Sequence, residues 1–213
     1  MLDNTNNDLS LFKKTIRPSK ESILKLEKFI EILDTYQNKM NLIGKSTRIR
    51  IWSRHILDSA QIADYLHKEN KKNIIVDIGT GAGFPGIVLS TLGRNDILLC
   101  EKSKKKISFL KSVIKECKLK AEIFDGKIEE YTSNNVKTVV SRAFAPLTIL
   151  LSKVKHIICE DTTLVLHKGK SYMKEIEDAK SFFSFNFKCY KSLTNSCGKI
   201  LKIKNIEKLN DRY

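Results

Sequence analysis

Four glycines within eight residues, set directly behind an apolar β-branched run, constrain this chain more than any other feature. The stretch reads Ile74-Ile75-Val76-Asp77-Ile78-Gly79-Thr80-Gly81-Ala82-Gly83-Phe84-Pro85-Gly86. Ile74 to Ile78 has the composition of a strand buried on both faces. The glycines permit a sharp turn and a close approach of backbone to ligand. Pro85 favours the first turn of a helix, and Gly86 to Leu92 is apolar on the side that would pack on a sheet. Strand, glycine turn and helix together form a nucleotide-binding crossover. The next apolar run, Asp96 to Glu101, ends in an acid 22 residues past Gly79. Glu101 there either takes the ribose hydroxyls of a cofactor or caps the helix that follows Ser103.

The frame of the glycines separates two cofactor classes. A dinucleotide fingerprint at the strand end needs glycine at 79, 81 and 84, and position 84 is Phe. A frame shifted to Gly81, Gly83 and Gly86 fits but leaves two turn residues ahead of it. The pattern Asp77-x-Gly79-x-Gly81-x-Gly83 resembles motif I of class I S-adenosylmethionine (SAM) methyltransferases. On that resemblance, Asp77 suits the cationic amino end of the ligand, and free N–H groups at the helix start suit its carboxylate. A nicotinamide oxidoreductase would need a Tyr-x-x-x-Lys or His pair after the fourth strand, and no Tyr-x-x-x-Lys occurs there. A non-catalytic RNA-binding protein on this scaffold would carry a damaged loop, and this loop is intact.

The 213 residues suffice for one ample core. Apolar residues at helical spacing fill 20–40 and 51–66, with Ser19 or Ser22 as cap, and predict a helical N-terminal layer over residues 1–72. From 73 to 213 strands and helices alternate, which predicts a parallel sheet with helices on both faces; the motif resemblance implies that this stretch is a SAM-dependent methyltransferase domain, built with the layer as a single structural unit. Strands are expected at 73–78, 96–101, 120–124, 137–142 and 162–168, and helices at 86–93, 103–118, 146–158 and 171–182. Period-two alternation at 185–190 and 199–203 predicts a terminal antiparallel hairpin at the sheet edge. The expected fold class is a Rossmann-like sheet of the class I SAM-methyltransferase type, mostly parallel, with that hairpin and the N-terminal helices added. No apolar run reaches 18 residues, so no membrane span is expected. Met1 to Lys20 lacks the apolar core of a secretory signal. Five scattered cysteines with no C-x-x-C pair read as reduced thiols in a cytoplasm, without a metal site.

The net charge of +15 and pI near 9.6 point to an anionic partner. The excess is spread along the chain, and only seven of 39 basic residues are Arg, a mix that an AT-biased genome also produces. The fourth strand narrows the chemistry. Ser141-Arg142-Ala143-Phe144-Ala145-Pro146 stands where enzymes that methylate exocyclic amines of bases carry Asn/Asp-Pro-Pro-aromatic. No cysteine nucleophile lies near, and Glu129 and Glu130 are the nearest acids. An acceptor that is already a neutral nucleophile, such as guanine N7, needs no base; transfer to it requires positioning and exclusion of water. Arg142, charged at the end of a central strand, is costly to bury unless it has a partner.

Further matches extend the resemblance along the chain. Asn41-Leu42-Ile43-Gly44, Arg54-His55-Ile56-Leu57-Asp58-Ser59, the Gly83-Phe84-Pro85-Gly86 continuation, Ser141 to Ala145 and Lys168-Gly169 resemble the ribosomal small subunit methyltransferase G family, also called glucose-inhibited division protein B. The resemblance implies methyl transfer from SAM to N7 of a guanine in 16S ribosomal RNA, with the RNA or the small subunit as partner and a monomeric cytoplasmic enzyme. It implies that Gly79, Phe84, Ile128, Glu129 and Arg142 contact SAM, beside Asp77, Gly81, Gly83 and Glu101 from the loop pattern. Arg142 then acts by positioning. A different RNA or a small molecule is the alternative acceptor. His167, where an apolar residue is usual, and a short Lys-rich C-terminus depart from the pattern. Arg54, His55, Phe144 and Lys168 are candidate RNA contacts. For three of them a plainer role stands beside it: helix packing with a bond to Asp58 for His55, lid packing for Phe144, a solvated end for Lys168. Trp52 reads as core.

Overall fold

The computed structural model describes residues 2–70 and 72–209. Four helices precede the sheet: α1 (Leu2–Ile16), α2 (Lys20–Gln37), α3 (Lys45–Arg48) and α4 (Asp58–Ala60). Ser19 caps α2, its hydroxyl accepting from Ser22 N at 3.0 Å. The strands are β1 (Ile74–Ile78), β2 (Ile97–Glu101), β3 (Glu122–Asp125), β4 (Val136–Arg142), β5 (Thr163–Lys168), β6 (Phe183–Lys191) and β7 (Lys199–Lys208). Between them run α5 (Gly86–Thr91), α6 (Lys104–Glu116), α7 (Leu147–Val154) and α8 (Tyr172–Lys180).

The sheet order is β3-β2-β1-β4-β5-β7-β6. The first five strands pair parallel, with Val76 opposite Leu98 on one side and Val139 on the other. β7 inserts antiparallel between β5 and β6. The expected fold class and edge hairpin are thus present, the hairpin strands running longer than their alternating segments. The chain order reverses between β1 and β4, which places a ligand crevice at the carboxyl ends of β1, β2 and β4.

Alternate residues of the buried strands feed two apolar clusters. On one face Ile75, Leu99, Val140 and Val165 pack with Phe29, Trp52, Ile87 and Phe109. On the other, Val76, Val139 and Leu166 pack with Leu150, Leu151, Ile176 and Phe183. The N-terminal helices share the first cluster with the sheet, so one core runs through residues from both expected regions.

Two elements differ from expectation. The segment 51–66 is not one helix: Trp52–Leu57 is π-helical, α4 follows, and Ala63–Tyr65 is a 3-10 turn. Ile51, Trp52, Ile56, Leu57, Ala60 and Ile62 are all buried, more than the stripe of one regular helix supplies. Helix α1 was not foreseen in a polar stretch. It docks through Phe12, fully buried with its ring 5.5 Å from Trp52, and through Asp8, whose carboxylate accepts from the Arg50 guanidinium and the Ser53 hydroxyl.

Candidate active site

The loop after β1 reverses through Gly79, Gly81 and Gly83, all at positive φ. At Gly79 a Cβ would stand 2.5 Å from the Phe144 ring, so that ring and the loop touch. Asp77 holds the loop from below. Its Oδ2 accepts from Thr80 Oγ1 at 2.6 Å and from Gly86 N at 2.8 Å. Asp77 is fully buried, its Oδ1 has no partner among the described residues, and burial pushes its pKa up to about 6. The expectation that Asp77 meets a ligand's amino group is corrected: its carboxylate is sealed inside the turn and acts on the loop.

Glu101 ends β2, and its contacts are those of the capping role, with one more to the glycine loop. Oε1 accepts from the N–H groups of Lys102 and Ser103, each at 2.9 Å, capping α6, while Oε2 accepts from Gly81 N at 3.1 Å. Beside it opens a cleft of about 530 Å³ lined by Gly79, Glu101, Ile128, Glu129, Phe144 and the ammonium-bearing Lys106. Its volume is that of a small-molecule site. A glycine loop, a strand-end acid and a neighbouring ammonium match a nucleoside joined to a zwitterionic amino acid. Glu129 pairs with Lys153 across this cleft, which holds its carboxyl below the usual range.

Phe84 and Arg142 do not line this cleft. The Phe84 ring is buried between Phe29 at 5.3 Å and His55 at 4.9 Å, with the Arg142 guanidinium 4.9 Å above it. Arg142 Nη1 donates to Arg54 O at 3.1 Å and to Asp58 Oδ2 at 3.2 Å, and Nη2 lies 2.7 Å from His55 Nδ1. The partner that its burial demanded is a carboxylate of the protein itself. Asp58 Oδ1 further accepts from Thr194 Oγ1 at 2.5 Å and Gln61 Nε2 at 2.8 Å, and its carbonyl accepts from His167 Nε2 at 2.7 Å. Burial works to raise the Asp58 carboxyl, but His167, the Thr194 hydroxyl and the Arg142 guanidinium together hold it below its ordinary range. His55 does not bond Asp58; its Nε2 meets Thr47 Oγ1 at 2.8 Å. Burial and the Arg142 charge press its pKa down to about 3, so the ring is neutral.

Two further clefts adjoin the first. One, of about 390 Å³, is lined by Arg54, His55, Asp58, Arg142, His167 and Lys199. The other, of about 320 Å³, is lined by Phe144, Pro146, Leu166, Lys168 and Glu175. Lys168 is neither solvated nor free: Nζ donates to Ala145 O at 3.0 Å and to Glu175 Oε2 at 2.7 Å. Glu175 Oε2 also accepts from Leu147 N. This clamp fixes the loop between β4 and α7. Ala143 lies in that loop, borders all three clefts and sits at φ +53°. A strained non-glycine residue at a junction of clefts is a mark of a functional centre. Sequence reasoning did not single it out, since no composition signal foretells a backbone angle. Asp58, the hub of the network, stood in the quoted Arg54 to Ser59 segment as an acid among apolar residues, which was its signal.

Residues 22–207 match the family described as GidB: rRNA small subunit methyltransferase G. The chain belongs to this family. It is 37% identical over 190 residues to the ribosomal RNA small subunit methyltransferase G of Orientia tsutsugamushi strain Ikeda, covering 87% of this chain and 92% of that protein. To the same protein of Rickettsia prowazekii it is 38% identical over 189 residues, covering 89% and 97%. Among solved structures it is similar to the ribosomal protein L11 methylase of Lactobacillus delbrueckii, with TM-score 0.57 at 16% identity over 76% of this chain and 80% of that one. It is also similar to a variant of MtNAS in complex with S-adenosylmethionine, with TM-score 0.58 at 14% identity over 85% and 71%. Membership makes the chain a SAM-dependent methyltransferase.

Proposed function

We propose that this chain methylates N7 of a guanine in the 16S ribosomal RNA of the small subunit, acting in the cytoplasm. The observation that carries the acceptor chemistry is the state of the carboxylates around Ala143. Glu175 is held by Lys168 and Leu147 N, Asp58 by Arg142, Gln61 and Thr194, Glu129 by Lys153, and Glu101 by three backbone N–H groups. Among the described residues around the junction, each carboxylate is committed and none is poised as a general base. N7 of guanine offers a lone pair without a proton to remove, so this site needs none.

When bound, SAM supplies a methyl group on a sulfonium, already activated for transfer. Gly79, Glu101, Ile128 and Glu129 hold that cofactor, with Glu101 oriented by its backbone donors to accept from a ribose hydroxyl. Phe144 borders both the cofactor cleft and the 320 Å³ cleft, so it separates the cofactor from the acceptor side. Its ring offers a face for a guanine base and keeps water from the line of transfer. Arg142, bonded to Arg54 O, His55 and Asp58, fixes the backbone of the β4 end from which Ala143 and Phe144 project. Arg54 and Lys199 on the neighbouring cleft supply charge toward phosphate.

Incubation with labelled SAM and small subunits lacking the modification, followed by nucleoside mapping, tests the proposal. Label recovered as 7-methylguanosine at one position is the expected result. Label on an exocyclic nitrogen, or none in 16S RNA, would overturn it.

A further inference from the structure

The edge hairpin carries a surface that the methyl-transfer clefts do not use. β6 and β7 pair so that Lys188 lies opposite Lys202 and Asn186 opposite Lys204, while Lys202 also faces Val165 of β5. Residues directly opposite share a sheet face, and Val165 belongs to the face packed by the N-terminal helices. That helical cover reaches the hairpin at Tyr65, whose ring stacks on Tyr190 at 4.4 Å. Beyond it Asn186, Lys188 and Lys204 are exposed and Lys202 is half-buried. A groove of about 540 Å³ opens there, lined by Tyr65, Lys68, Lys137, Thr163, Lys202 and Lys204.

The charges in this groove are unbalanced. Of its lysines, Lys137 pairs with Asp161, and among the described residues no carboxylate lies within salt-bridge reach of Lys68, Lys188, Lys202 or Lys204. Glu69, at the margin, accepts from the side chain and backbone of Asn95. Like charges directly opposite on a strand pair destabilise it. Burial, with Lys204 and Lys188 close by, lowers the ammonium pKa of Lys202. Lysines present through composition alone are expected on solvated helix faces, as Lys111 and Lys115 are in α6. Here they crowd one another on a half-covered sheet face, an arrangement that an anion relieves.

We propose that this lysine face binds the phosphodiester backbone of ribosomal RNA at a second place, apart from the methyl-transfer centre. It rests on the reading of the acceptor as ribosomal RNA. Thr163 and Lys168 mark the two ends of β5, so the groove stands about 16 Å from the catalytic rim along the strand. Contacts of this kind set register and hold the RNA without reading its sequence. The face therefore anchors a part of the RNA that carries no acceptor base.

The test compares the wild type with two triple variants that remove equal charge. One carries Lys188→Gln, Lys202→Gln and Lys204→Gln; the other, outside the lysine groove and the three clefts that meet at Ala143, carries Lys111→Gln, Lys115→Gln and Lys120→Gln. Binding to naked unmethylated 16S RNA and to unmethylated subunits is measured across a salt series, beside calorimetric SAM titration and a thermal melt. The hairpin variant is expected to lose at least about tenfold in RNA affinity at low salt. Its plot of log affinity against log salt should flatten by about 2 units, the contribution of two to three phosphates. SAM affinity should hold, and the melt should stay or rise as like-charge repulsion is relieved. An unchanged salt slope, or an equal change in both variants, would overturn the proposal. So would a loss confined to subunits, which would assign the face to a ribosomal protein. Methylation by the wild type together with an unchanged slope refutes this surface alone, whereas a wild type that neither binds nor methylates 16S RNA refutes the acceptor reading and this surface with it.

Discussion

Arg142 is the residue on which the site and the fold depend together. Its side chain and that of Asp58 are 18% and 17% exposed, and each is the other's main countercharge. Removing the guanidinium strands a largely buried carboxylate and leaves Arg54 O without that donor. Breaking such a pair costs a few kcal/mol. Arg142→Ala is therefore expected to lower the unfolding free energy by about 2–4 kcal/mol as well as abolish methyl transfer. Adding Asp58→Asn should recover part of the stability and none of the activity. Denaturant unfolding of the two single variants and the double closes the cycle. Wild-type stability in Arg142→Ala would show that Asp58 is satisfied without it. The sequence placed this charge correctly at a strand end but assigned its partner to the ligand. Asp58 lies 84 residues away along the chain, a separation that no local pattern bridges.

At the scale of elements, the π-helical segment Trp52–Leu57 builds one wall of the site. It turns Arg54 O and His55 toward Arg142 while keeping Trp52, Ile56 and Leu57 in the core. π-helical turns are frequent at functional sites, and the period of the apolar residues here reads as an ordinary helix. This wall makes the fold acid-sensitive. His55 ordinarily titrates near 6.5 but at about 3 in the folded chain, so the unfolded chain takes up a proton that the native one refuses. Its contribution is present above pH 6.5 and is lost as pH falls toward 3. Asp77 acts in the other sense: raised to about 6, it adds stability as pH falls through 6 and loses it as pH rises. His55→Gln keeps an acceptor for Arg142 and a donor for Thr47 without a titrating ring. Its unfolding free energy should fall less steeply than the wild type's between pH 6.5 and 4, by up to about 1.4 kcal/mol per pH unit. Parallel pH profiles for the two proteins would mean that His55 takes no part in acid unfolding.

Over the whole molecule, the N-terminal helices and the sheet share one apolar cluster, so the glycine loop rests on residues far from it in sequence. Phe84 of the loop packs on Phe29 of α2, and Trp52 beneath the π-helical wall packs on Phe12 of α1. Phe12→Ala opens a cavity under that wall. It should cost about 3–5 kcal/mol and lower Tm by roughly 6–20 °C for a chain of this size. A melt within 2 °C of wild type would show α1 to be dispensable to the core. Leu9, Phe12 and Ile16 recur at helical spacing and were the available signal for α1, hidden by the run of Asn and Asp before them.

The sequence by itself determined the alternating α/β order, the parallel sheet with its edge hairpin, the glycine loop and the acid at the end of β2. These are local properties: side-chain period, β-branching and glycine conformation act within a few residues. Family membership also followed from contiguous motifs. Tertiary structure alone decided that Asp77 is sealed under the loop and that Phe84 packs inward. It also decided that Arg142 pairs with Asp58, that Lys168 clamps Ala145 to Glu175, and that three clefts meet at Ala143. Each of those is a competition for a burial site or a hydrogen-bond partner between segments tens of residues apart. Its outcome depends on which groups the packed sheet and helices bring within about 3 Å, the range at which a buried charge is either satisfied or left bare.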